Sequence, residues 1–220
     1  RFGRLVNRII PLVLAVALFM ENMDSTVIAT SLPAIAADIQ TSPIALKLAL
    51  TAYLVALAVF ISISGWMADR FGARNVFRAA IGVFILGSVA CAMANSLEFF
   101  VLARFFQGMG GAMMTPVGRL VLVRSTPKSD LVAAMSWLTI PALVGPLVGP
   151  PIGGFITTYF SWHWIFLINV PIGVIGIWLS TIFLPEIETT NPPPMDGKGF
   201  ILSGIAASGV VFGVSVVSLP

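Results

Sequence analysis

Apolar residues in this chain run in long unbroken blocks, with neither strict alternation nor a single apolar face per helix. Seven blocks stand out: Ile9–Pro33, Leu46–Ala68, Ala79–Ala94, Phe99–Val123, Leu131–Tyr159, Trp164–Leu184 and Phe200–Leu219. Most are near the roughly 17–25 residues that a helix needs to cross a bilayer. The pattern predicts an all-α polytopic membrane protein. Polar connections between the first six blocks are short, so neighbouring helices are expected to pack as antiparallel pairs. The fifth block is too long for one straight helix, and its prolines predict bending. Residues 185–198, "PEIETTNPPPMDGK", break the pattern. Three consecutive prolines favour an extended, stiff connector. The expected organisation is a six-helix unit over residues 1–184, a linker over 185–198 and a seventh transmembrane helix over 199–220.

Composition agrees. Of 220 residues, 58% are hydrophobic and 10% charged, and the mean hydropathy is +1.00. A soluble domain carries charge at about a quarter of its positions, so a water-exposed surface cannot be built here. The net charge of +3 is spread between the blocks, which argues against a nucleic-acid partner. Orientation follows from the same cations. With the N-terminus inside, the cytoplasmic segments hold Arg1, Arg4, Arg8, Arg70, Arg74, Arg78, Arg124, Lys128 and Lys198. The other side holds Lys47, while Arg104 and Arg119 lie within a block. The positive-inside bias therefore places the N-terminus in the cytoplasm, and Trp66, Tyr159, Trp162 and Trp164 fit aromatic belts. Cys91, the one cysteine, excludes an internal disulfide and reads as a packing residue. The sequence starts at Arg1 and stops at Pro220 as an apolar run ends, so it is expected to be part of a longer protein.

Against this background two carboxylates stand out. Glu21 and Asp24 lie in the apolar stretch "ALFMENMDSTVIATSLP". A charge near the bilayer centre costs at least about 2.5–3.5 kcal/mol, so each must face protein or a wet cavity. Asp24 lies roughly 13 Å below the outer end of its helix, with Glu21 one turn deeper. The plain reading is a structural ion pair or a hydroxyl-satisfied acid; the functional one is a proton or cation site. Arg104, roughly 8 Å below the outer end of the fourth block, matches Asp24 in depth, and Gln107 follows one turn on. Its alternatives are snorkelling to the headgroups or pairing with Glu98. Arg119 reads as a snorkelling residue.

Two further stretches bear on motion. In "GWMADRFGARN", Gly65 permits close approach, Asp69 is placed to meet the following helix, and Arg70 and Arg74 are suited to carboxylates. This reads as a cytoplasmic latch rather than a substrate site. In "PALVGPLVGPPIGGF", Gly145, Gly149 and Gly153 make a smooth stripe for another helix. Pro146 and Pro150 each free a carbonyl one turn back. Gly108 and Ala112 offer a lesser version of the same packing. His163 reads as an interfacial residue. No zinc motif, nucleotide loop or nucleophile triad is present. An offset of 89 aligns Gly65, Phe71 and Phe77 with Gly154, Phe160 and Phe166, in keeping with a three-plus-three inverted repeat.

Together these stretches resemble the N-terminal half of a major facilitator superfamily transporter, most closely the drug:proton antiporters with fourteen spans (EmrB/QacA type). "MDSTVIATSLP" resembles that subgroup's first-span motif at Asp24 and Pro33. "GWMADRFGARN" is similar to the superfamily loop motif at Gly65, Asp69, Arg70, Gly72 and Arg74, with Asn75 where a second basic residue is usual. "LARFFQGMGGA" is similar to the fourth-span motif at Arg104, Gln107 and Gly108, and "GPPIGG" to the antiporter motif at Gly149, Pro150, Gly153 and Gly154. "SWHWIFLINVPIG" also resembles the subgroup, with His163 replacing a usual arginine. Glu21 has no counterpart among these motifs.

The resemblance implies alternating access and efflux of lipophilic, cationic toxic compounds in exchange for protons, with no cofactor beyond the coupling proton. On this reading Asp24 takes up and gives up the proton and Arg104 tunes it. The partners implied are small-molecule substrates, the lipid bilayer and a missing C-terminal half. A proton-coupled importer of a small solute shares the fold. A membrane enzyme would need a converging catalytic set, which one histidine and one cysteine do not supply. A non-transporting sensor would keep the helices without gradient dependence.

Overall fold

The computed structural model describes residues 2–217. Arg1 and the expected end of the seventh helix at Leu219 lie outside that range. The first block forms α1 (Phe2–Val27), then a 3-10 turn at Ile28–Thr30, then a short helix α2 (Leu32–Asp38). The chain re-enters helix at Leu32, and Pro33 fits the first turn, where its missing N–H is not needed. The second block is likewise divided: α3 (Lys47–Phe60), a 3-10 turn at Ile61–Ile63, and α4 (Ser64–Phe71). Gly72, at φ 87°, turns the chain into α5 (Ala73–Ala92); that angle lies in the region open to glycine. Helix α6 (Leu97–Ser125) opens with Ser96, whose Oγ accepts from the Phe99 N–H at 3.3 Å.

Helix α7 (Leu131–Tyr159) matches its expected bounds, and its four prolines do not interrupt it. The sixth block is α8 (Trp164–Leu167) and α9 (Asn169–Phe183), joined at Ile168. After a non-helical segment, α10 (Gly197–Val217) follows. Among the described residues there is no strand, and six helical stretches are long and apolar enough to cross a membrane. The exception is α6, which at 29 residues carries Glu98, Arg104, Arg119 and Arg124. It nonetheless packs between α3 and α5 along the bundle.

The pairings that build the bundle are α1 with α7 and α9, α5 with α6 and α9, and α3 with α6. Helix α10 is mostly exposed and leans on α3, where Phe200 and Phe60 place their rings 6.1 Å apart. The buried interior has two apolar clusters. One centres on Leu14, Met20, Phe77, Phe84 and Val117, the other on Ile28, Ile35, Leu46, Phe100 and Phe166. Between them, on α1, α5, α6 and α9, sit the buried polar residues Asp24, Ser88, Arg104, Gln107 and Asn169. The polar groups occupy the seam of the core.

Candidate transport site

The seam residues form a closed ring. Arg104 donates from Nη1 to Asp24 Oδ2 at 2.7 Å and to Gln107 Oε1 at 2.8 Å. Gln107 donates from Nε2 to Ser88 Oγ at 2.8 Å. Asn169 donates from Nδ2 to Ser88 Oγ at 3.1 Å and to Asp24 Oδ1 at 2.7 Å, which closes the circuit. Both ions are shut away from solvent, Asp24 at 0% and Arg104 at 1% exposure. Removing two charges from water is repaid only when pairing and hydrogen bonding are complete. Here each carboxylate oxygen has its own donor, while Arg104 Nε is buried with no hydrogen-bond partner. The guanidinium also lies over the Tyr53 ring, 4.3 Å from its centroid, and 5.9 Å from that of Phe166, within cation–π range.

The depth match of Asp24, Arg104 and Gln107 thus corresponds to real contacts. Arg104 neither snorkels nor pairs with Glu98, which is exposed. The structure also adds Ser88 and Asn169, which the sequence reading missed. Their signal was present: "FLINVPIG" sets an amide within an apolar run, where a polar group must find an internal partner.

Glu21 has a different environment. Three residues advance a helix by about 300°, so Glu21 points about 60° away from Asp24. It is partly exposed and accepts from Thr115 Oγ1 of α6 at 2.9 Å. The family resemblance implied that Asp24 takes up and gives up the proton. In the structure Asp24 is sealed in the ring, and Glu21 keeps an open side.

The loop motif also differs from expectation. Asp69 bypasses the following helix and pairs with Arg124 at the end of α6, at 2.8 Å. Arg74 pairs with Glu186 and donates to the Leu184 carbonyl at 3.3 Å. Arg70 reaches a neutral amide, Asn191 Oδ1, at 3.5 Å rather than a carboxylate. Gly65 has open space where a side chain would go, so the expected close approach is absent. The segment after α9 straps this loop: Trp66 Nε1 donates to the Pro193 carbonyl at 3.0 Å, and the Thr190 N–H to the Asp69 carbonyl at 3.1 Å. At the opposite end Asp38 accepts from Trp162 Nε1 at 3.0 Å, and His163 shares a 2.6 Å hydrogen bond with Ser161.

The glycine stripe of α7 faces α1. A Cβ on Gly145 would meet the Phe19 carbonyl at 2.8 Å, and one on Gly153 the Val27 carbonyl at 2.6 Å. On Gly149 it would collide with Thr26 Oγ1. Gly154 has nothing within 4 Å; Pro146 is half-buried beside the stripe, and Pro150 is exposed. Gly149→Ala is therefore expected to cost about 1–3 kcal/mol through overpacking. Gly154→Ala is expected to leave the thermal midpoint of the solubilised full-length protein unchanged, and the same thermal scan reads both.

The sequence profile of the Major Facilitator Superfamily matches residues 14–219. A putative multidrug resistance protein, MdtD, of Salmonella paratyphi B is 43% identical over 195 residues, covering 88% of this chain and 41% of that protein. A probable transport protein, HsrA, of Haemophilus influenzae is 43% identical over 204 residues, covering 93% and 44%. The chain thus spans less than half the length of these relatives. A D-xylose-proton symporter structure superposes with a TM-score of 0.71 at 17% identity, covering 94% of this chain and 55% of that one. The partially occluded, inward-open xylose transporter XylE of E. coli gives 0.72 at 15% identity, covering 94% and 56%. These likenesses show the fold.

Proposed function

Since the chain belongs to the Major Facilitator Superfamily, we propose that the full-length protein exports lipophilic cations across the cytoplasmic membrane in exchange for protons. The N-terminus lies in the cytoplasm. The second half of the same chain completes the cavity, and alternating access moves the cargo. The observation that carries this reading is the pair of acids on one helix with opposite environments. Asp24 is fully paired in the buried ring, whereas Glu21 is partly exposed and held by one hydroxyl. A carboxylate with an open side at membrane depth attracts a cation or takes a proton, and it cannot do both at once. That exclusion is antiport.

Each group then has a role. Glu21 exchanges cargo for proton, and Thr115 orients it. Arg104 pairs with Asp24 and Gln107 holds Arg104 in place, which leaves the proton exchange to Glu21. The glycine stripe lets α1 and α7 slide at close range, and the latch around Asp69, Arg74 and Arg124 steadies the cytoplasmic end. The membrane potential contributes about 2.3 kcal/mol per charge per 100 mV, enough to bias the exchange. The multidrug resistance name of one relative supports the cargo class.

Everted vesicles carrying the full-length protein and an imposed pH gradient, acid inside, test the direction. A lipophilic dye cation is expected to accumulate inside while the gradient partly collapses. Dye leaving the lumen together with protons would make the protein an importer.

A further inference from the structure

Asn169 lies in the stretch "SWHWIFLINVPIG" but was not singled out there as a site residue, yet it closes the polar ring. Its amide nitrogen gives one hydrogen to Asp24 Oδ1 and one to Ser88 Oγ. Its own oxygen is buried with no partner, so the side chain is held through its donors alone. Ser88 Oγ receives Asn169 and Gln107 together, and Gln107 Oε1 receives Arg104 and the Cys91 thiol, the latter at 3.6 Å. The circuit therefore ties α9 to α1, α5 and α6 through one amide. Cutting any ionic-ring contact leaves a buried polar group unpaired, which makes opening a joint event.

We propose that Asn169 is a positioning residue for proton coupling: it fixes Asp24 against Arg104, so that the ring opens and closes as one unit. The proposal deepens the antiport reading and rests on it for its functional meaning. With Asn169 in place, Asp24 stays seated against Arg104, and proton exchange belongs to Glu21. Without it, Asp24 Oδ1 has no donor and the acid is free to turn away from Arg104. The Ser88–Gln107 arm loses its second donor at the same moment.

Cys91 reports the ring without reference to transport. It is fully buried and its thiol reaches the ring at Gln107. In membranes containing the full-length protein, alkylation of Cys91 by a small permeant maleimide is followed by peptide-resolved mass spectrometry. Asn169→Ala is expected to label about tenfold faster than wild type, the effect of losing a hydrogen bond to a charged group. The exchange variant Asp24→Asn/Asn169→Asp keeps the bond with donor and acceptor swapped, and the Ser88 hydroxyl is able to turn from acceptor to donor. It is expected to restore protection. Ile177→Ala, two turns along the same helix, is expected to label like wild type.

Wild-type labelling in Asn169→Ala overturns the proposal, as does labelling of Ile177→Ala at the same raised rate. An exchange variant that labels as fast as Asn169→Ala also overturns it, because the hydrogen bond is then not what holds the ring. The labelling does not depend on whether a proton is carried, so failure of antiport and failure of this proposal are read separately.

Discussion

Arg104→Ala is expected to remove most folded protein from the membrane, while Asp24→Asn/Arg104→Gln keeps it. The alanine variant leaves the Asp24 carboxyl group, at 0% exposure, without its ionic partner. Breaking a buried pair from one side costs about 3–5 kcal/mol, a large part of the roughly 5–15 kcal/mol that holds a typical protein folded. It also strips Gln107 Oε1 of a donor and empties the space over the Tyr53 ring. The double variant removes both charges and keeps groups that hydrogen-bond, and replacing both partners of such a pair is often close to neutral. Full-length protein recovered as a monodisperse peak after solubilisation is the readout. Equal recovery of the two variants would mean that the pair adds nothing to the fold.

Glu21→Gln is expected to do the opposite, sparing the fold and abolishing coupled export. The amide oxygen of glutamine accepts from Thr115 as the carboxylate does, so the local hydrogen bond survives. What disappears is the charge. A hydrogen bond or close contact to a charged group is worth about 1.5–3 kcal/mol, so affinity for a cationic cargo is expected to fall about tenfold to a hundredfold. A neutral cargo of similar size is expected to bind as before, and direct binding to purified full-length protein measures both. Equal loss for both cargoes would point to damaged packing.

The helical class and the partnership of Asp24 with Arg104 and Gln107 were legible because depth along a helix is counted from the sequence. Direction around the helix is not. Glu21 and Asp24 differ by one turn in depth, and only the packing of α6 and α9 against α1 decides which is sealed and which is open. For the same reason Asp69 finds Arg124, 55 residues away, instead of a neighbour on the next helix. The glycine stripe announced a close contact, although its partner became known only when α7 lay against α1. Asn169 carried a readable signal as an amide within an apolar run. Its partners sit 81 and 145 residues away, which no local pattern encodes.

The central claim is that the open acid, and not the sealed one, trades a proton for a cation. Proton release from purified full-length protein in a lightly buffered solution, on addition of a lipophilic cation, tests it most directly. Release is expected from wild type and from Asp24→Asn/Arg104→Gln, with none from Glu21→Gln. Release that persists in Glu21→Gln and vanishes in the double variant would contradict the account.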